Sequence, residues 1–219
     1  MTALILYHGE QNEWEARLPA QTVLRVVRVP RGAGLRARLA ARAAARRLCD
    51  AGVRRAVFPP DYPFREAFAS RGIAAPPLAP LYRASAPAIV RRCMEQMGLA
   101  ARRAEVMVCA QAVSPELRAF AFELCREVRY LSVMAPRGGE ELMRELRRER
   151  GVAPRFRPDL TVSFDGAAAD GSVLRLDETL RVRYDSPLPN AVLAALWSAG
   201  ALDARALRVC AVSKEADLS

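Results

Sequence analysis

The groups in this sequence best placed to do chemistry sit in three short turns. Gly32-Ala33-Gly34-Leu35-Arg36-Ala37 matches the pattern G-x-G-x-x-A. In such a turn the glycines let the backbone approach a phosphate, and the first amides of the following helix bind it. Arg31, Arg36 and Arg38 add positive charge around it. Pro30 and Arg31 lengthen the turn, however, and no acidic residue stands where a ribose ligand belongs: Asp50 comes early and Asp61 late. An ordinary strand-to-helix turn is the first reading, and a phosphate or nucleotide site the second. The second turn, Ala110-Gln111-Ala112-Val113-Ser114, also joins an expected strand to an expected helix. It has no glycine, and Pro115 removes one amide from the helix start. The third, Ala135-Pro136-Arg137-Gly138-Gly139, brings Arg137 toward the same sheet edge. Glu140 and Glu141 follow it, and acidic groups at a helix start oppose a bound anion. The candidate ligand contacts are therefore Gly32, Gly34, Gln111, Ser114, Arg137 and Gly138, with no cofactor specified by them.

Other reactive side chains form no constellation. His8 is the only histidine, and pairing it with Cys109 as base and nucleophile would need a third, orienting group. None is identifiable, so a surface histidine and a buried thiol are expected. Asp159, Asp165, Asp170, Asp177 and Asp185 are spaced as turn residues and match neither a metal loop nor a pair of hydrolytic carboxylates. The five cysteines contain no C-x-x-C pair. Cys93, Cys109 and Cys125 lie in apolar runs and are expected to be buried and without disulfides, which suits a reducing compartment. No catalytic or metal-binding residue is assigned.

The elements that must hold these turns are legible. Residues 106–110 are an unbroken apolar run, the signature of a strand covered on both faces. Ser114 and Pro115 open a helix in which Leu117, Phe120, Ala121, Leu124, Cys125 and Val128 keep helical spacing. Residues 130–135 make a second strand, 140–150 a second helix and 160–164 a third strand. That order, from Glu105 to Phe164, resembles a Rossmann unit, with parallel neighbouring strands and a phosphate loop that has lost its glycines. Before it, 3–7, 22–29 and 53–58 read as strands, and 35–49 as a helix with alanines on one side and Arg38, Arg42 and Arg46 on the other. The loop after the first strand carries His8-Gly9-Glu10 and Glu13-Trp14-Glu15. Pro76, Pro77, Pro80 and Pro87 mark 74–87 as an irregular boundary, followed by a helix over 88–97. Past Phe164, Asp165-Gly166 and Asp170-Gly171 mark turns, and 173–176 with 180–184 are a possible hairpin. A helix over 189–198, a strand over 207–212 and a frayed tail complete the chain. No internal sequence repeat is visible. The expected fold class is α/β: a Rossmann-like βαβαβ unit over 85–219 with a C-terminal extension, and a smaller α/β lobe over 1–84.

Composition limits the partners. With 219 residues and 52% hydrophobic content the chain can bury a large core, and no apolar run approaches the ~20 residues of a membrane span. A soluble cytosolic protein is expected. The net charge is +10, with Lys214 the only lysine among 34 basic residues. Eight arginines and one aspartate fall between Arg31 and Arg55, a face that would suit nucleic-acid phosphates. No aromatic residues interleave it for base stacking, so nucleic acid is possible but not favoured. The reading that leads is a non-catalytic small-ligand-binding or regulatory protein with a degenerate phosphate loop, its ligand or protein partner unspecified. The alternatives are an NAD(P)-dependent oxidoreductase with an atypical loop, and a nucleic-acid-associated protein using the arginine-rich helix.

Overall fold

The structure is a computed structural model, and it describes residues 2–8, 24–154, 157–167 and 173–214. The Glu10 and Glu13-Trp14-Glu15 loop, the start of the second strand at Thr22, the Asp170-Gly171 turn and the tail after Lys214 lie outside the described residues. The first elements are β1 (Thr2–Tyr7), β2 (Leu24–Val29), α1 (Leu35–Asp50), β3 (Arg55–Val57), α2 (Arg65–Ala69), α3 (Ala79–Ala84) and α4 (Ala86–Gln96). They are followed by β4 (Glu105–Cys109), α5 (Pro115–Leu124), β5 (Tyr130–Met134), α6 (Gly139–Arg150), β6 (Leu160–Ser163) and β7 (Val173–Arg175). The last are β8 (Leu180–Tyr184), α7 (Asn190–Ser198), a 3₁₀ turn (Ala204–Ala206) and β9 (Val209–Lys214). The chain forms two compact units, Met1–Pro77 with Ser186–Asp203, and Leu78–Asp185 with Ala204–Ser219.

The first unit is built on a parallel sheet in the order β2-β1-β3. Every residue of β1 is buried, as its apolar run requires of a central strand. Its side chains alternate between two cores. Ala3, Ile5 and Tyr7 meet Ala41, Ala45 and Leu48 of α1 together with Phe68 and Ile73. Leu4 and Leu6 meet Val57 and, on α7, Val192, Ala195 and Leu196. The small alanines are the buried face of α1, while Arg38, Arg42 and Arg46 are exposed.

The second unit contains a four-stranded parallel sheet, order β5-β4-β6-β7, and an antiparallel β8-β9 pair. The expected strands are neighbours here and parallel: Val106 stands opposite Leu131 on one side and Leu160 on the other. This is the Rossmann-like α/β arrangement read from the sequence. Ser114 caps α5 by accepting the Leu117 N–H at 3.1 Å.

Three expectations need correction. Residues 173–176 and 180–184 form no hairpin: β7 extends the sheet beside β6, and β8 pairs with β9. The turn between them is held elsewhere, because the Glu178 carboxylate accepts the N–H groups of Leu78 and Ala79 at 2.8 and 3.1 Å, where α3 begins. The proline-rich stretch is not irregular throughout, since Pro80 and Pro87 stand in the first turns of α3 and α4. A proline costs no helical hydrogen bond there. Of the three thiols, Cys109 is buried, but Cys93 and Cys125 are only half-buried. Met97 lies just past α4 and is 44% exposed. No disulfide joins the five cysteines. Among the described residues no helix is long and apolar enough to cross a membrane.

Candidate functional site

The carboxyl ends of β4, β5 and β6 gather four of the six candidate contacts. The turn after β4 lies along the turn after β5, with Ala112 bridged to Arg137 and the Val113 N–H donating to the Arg137 carbonyl at 3.0 Å. Gln111, Ser114, Arg137 and Gly138 thus share one sheet edge. Gly32 and Gly34 belong to the turn before α1 in the first unit and are no part of that edge. His8 follows β1 in the first unit and Cys109 ends β4 in the second, so neither unit contains both. Among the described residues no three His, Cys, Asp or Glu side chains cluster as metal ligands would.

Three amides of the β4 turn are engaged by the protein itself. The Ala110 N–H donates to the Met134 carbonyl at 2.9 Å and the Val113 N–H to Arg137. The Gln111 N–H donates to the Asp165 carboxylate, 3.0 Å from each oxygen. Pro115 has no N–H, and the Leu117 N–H is taken by Ser114. A pyrophosphate at this turn would have to displace a carboxylate and compete with three further internal bonds. The neighbouring turn is closed as well. Gly138 holds a left-handed φ of 81°, and a Cβ added to it would lie 3.3 Å from the Val113 Cβ. Gly138→Ala is expected to destabilise the protein by about 1–2 kcal/mol through that backbone conformation and contact, which urea unfolding at pH 7 would measure.

Beside these closed turns a cavity of about 920 Å³ opens. Cys109, Val133, Met134, Ala135, Pro136 and Met143 give it an apolar wall, and Glu140, Arg144 and Arg147 of α6 add charge at helical spacing. Met134 is 57% exposed, unusual for a large apolar side chain at a strand end. Of the sequence candidates only Gln111 lines this space. Sequence reading missed the α6 residues, although 140, 144 and 147 fall on one helical face, and it missed Asp165 as the partner that closes the turn.

In the first unit a second cavity, about 820 Å³, lies at the carboxyl ends of β1 and β3. Tyr7, Arg31, Gly32, Ala33, Phe58 and Asp61 are among its walls. The Arg31 guanidinium stands 5.6 Å from the centre of the Tyr7 ring.

The fold and these edges define an α/β protein of parallel sheets with Rossmann-like topology. Comparison of the chain with protein-family models and with curated proteins gives no match.

Proposed function

We propose that this chain is a small-ligand-binding or regulatory protein rather than an enzyme, and that its second unit holds a ligand other than a dinucleotide at the ends of β4 and β5. The observation that carries this reading is the Asp165 carboxylate on the Gln111 amide, which puts negative charge where a Rossmann loop would receive a phosphate. The adjoining cavity, mostly apolar with two arginines and one glutamate of α6, suits a compact apolar molecule with an anionic end.

Anilinonaphthalene sulfonate has that chemistry and serves as a fluorescent probe. Saturable binding to the native protein is expected, weakened at least tenfold by Met134→Trp, which puts a bulky ring into the apolar wall, and by Arg144→Glu with Arg147→Glu. Binding unchanged by these substitutions would refute the assignment of the site. Titration with NAD and NADP provides the opposing test. Micromolar affinity that disappears on Ala112→Trp would overturn the reading in favour of an oxidoreductase.

A further inference from the structure

Both units follow one path. A central strand is succeeded by a parallel strand on one side, a Pro-Arg-Gly turn, a helix, and a parallel strand on the other side. In the first unit these are β1, β2, Pro30-Arg31-Gly32, α1 and β3; in the second they are β4, β5, Pro136-Arg137-Gly138, α6 and β6. The turn glycines both have positive φ, 106° at Gly32 and 81° at Gly138. Each helix is followed by a left-handed glycine and a buried valine, Gly52-Val53 and Gly151-Val152. A phenylalanine succeeds each third strand, Phe58 and Phe164. The sequence shows no repeat because the coincidences fall on turn and cap residues, while the strands and helices share only their apolar pattern. Each unit also carries its cavity at the end of its central strand.

The two copies differ in the chemistry of the Pro-Arg-Gly turn. In the second, Glu140 and Glu141 follow the turn and Gly138 packs on Val113. In the first, α1 has no acidic residue in its first turn. Among the described residues, apart from each glycine and its two chain neighbours, no atom lies within 4 Å of a Cβ built on Gly32 or Gly34. Arg31, Gly32 and Ala33 all line the cavity there, whereas Arg137 and Gly138 do not line the other. The rest of the first cavity is mainly apolar: Tyr7, Phe58, Pro59 and Pro60 stand beside aliphatic side chains of β1, β3 and α7, and Asp61 is its acidic wall residue.

We infer that the cavity of the first unit is a separate binding site for a nucleoside monophosphate. One guanidinium and one open turn match a single phosphate better than a chain of them. The aromatic and proline walls accept a planar base by stacking and apolar contact. The Asp61 carboxylate is an acceptor for sugar hydroxyls, which donate to it. The cavity volume exceeds what one nucleotide needs and lies within the range of small-molecule sites. The site is independent of the second unit's cavity, and its walls come from the first unit alone.

Calorimetric titration of the full chain with adenosine and guanosine 5′-monophosphates, with adenosine as control, tests this. One nucleotide per chain is expected for at least one of the two, with adenosine at least tenfold weaker than its monophosphate because the charge-assisted contacts are lost. Arg31→Glu is expected to weaken the nucleotide at least tenfold and Arg31→Lys less. Arg71→Glu makes the same charge change at an exposed site of this unit away from the cavity and should have no more than a twofold effect. Phe58→Ala is expected to weaken nucleotide and adenosine alike. Failure of both nucleotides to bind at millimolar concentration would overturn the inference. So would equal affinity for adenosine, or equal losses in Arg31→Glu and Arg71→Glu. None of these results bears on the probe bound by the second unit, which is read from Met134, Arg144 and Arg147.

Discussion

Replacing Phe164 by alanine is expected to lower the stability of the second unit by about 3–5 kcal/mol. Phe164 is 2% exposed and stacks on Phe120 of α5, with ring centres 5.4 Å apart and planes 25° from parallel. The pair fastens α5 to the sheet immediately after β6. The Phe164 N–H also donates to the Cys109 carbonyl at 2.9 Å, so the ring sits on a backbone segment aligned with the end of β4. Removing the ring leaves a cavity between two elements that are already short, and a relaxed helix cannot close it fully. Domains of this size commonly hold only about 5–15 kcal/mol in total, so the variant should lie near the limit of folding. Phe164→Leu keeps most of the volume and should lose less than half as much. Urea unfolding followed by circular dichroism gives the comparison. A loss below about 1 kcal/mol for the alanine variant would show that Phe120 and Phe164 do not anchor α5. The same variant connects fold to site, because the next residue, Asp165, closes the β4 turn through the Gln111 amide.

What could be read in the sequence was whatever depends on local pattern. The strand over 106–110 is apolar because both faces of β4 are covered, and the alanine side of 35–49 is the side α1 buries. Ser114, Pro115 and Gly151 mark helix ends through their own side chains or backbone freedom, and each stands at one in the structure. Features that depend on distant partners were not legible. Glu178 gives no local hint that it accepts hydrogen bonds at the start of α3, a hundred residues earlier, from the turn between β7 and β8. Pro80 and Pro87 look like breakers until their place in a first helical turn is known. That α7 covers Leu4 and Leu6 follows from no periodicity, because its sequence is apolar on every side. The candidate contacts divide in the same way. Glycine turns betray themselves by residue type, which is why Gly32, Gly34 and Gly138 stand among the candidates. The groups that engage these turns, Asp165 at the glycine-free turn after β4 and Val113 against Gly138, lie across the sheet edge and carry no signature of that role. The likeness of the two units is hidden for a related reason: topology repeats while most side chains do not.

Tyr62→Phe is expected to stabilise the first unit by about 1–2 kcal/mol at neutral pH and to remove a loss of stability above pH 10. Tyr62 is 4% exposed and packed among Tyr7, Phe58, Phe64 and Phe68. Its hydroxyl is buried with no hydrogen-bond partner among the described residues. Phenylalanine keeps the ring contacts and removes the unsatisfied group. Burial, reinforced by the neighbouring Tyr7, pushes the phenol up from 10.0 to about 12. The folded chain therefore retains this proton at pH values where the unfolded chain releases it. Well below pH 10 both states are protonated, and this group makes stability independent of pH there. Between about pH 10 and 12 only the unfolded state ionises, so stability falls with rising pH, by up to about 3 kcal/mol from this residue. Cys125, pushed up to about 11 by burial, and Tyr184, raised chiefly by burial, add losses of the same sign in the second unit. The useful quantity is therefore the difference between variant and wild type, measured by urea unfolding at pH 8 and pH 11.5. That difference should grow with pH by a large part of the expected loss. Curves that fall in parallel would mean that the Tyr62 phenol ionises as readily in the folded chain as in the unfolded one.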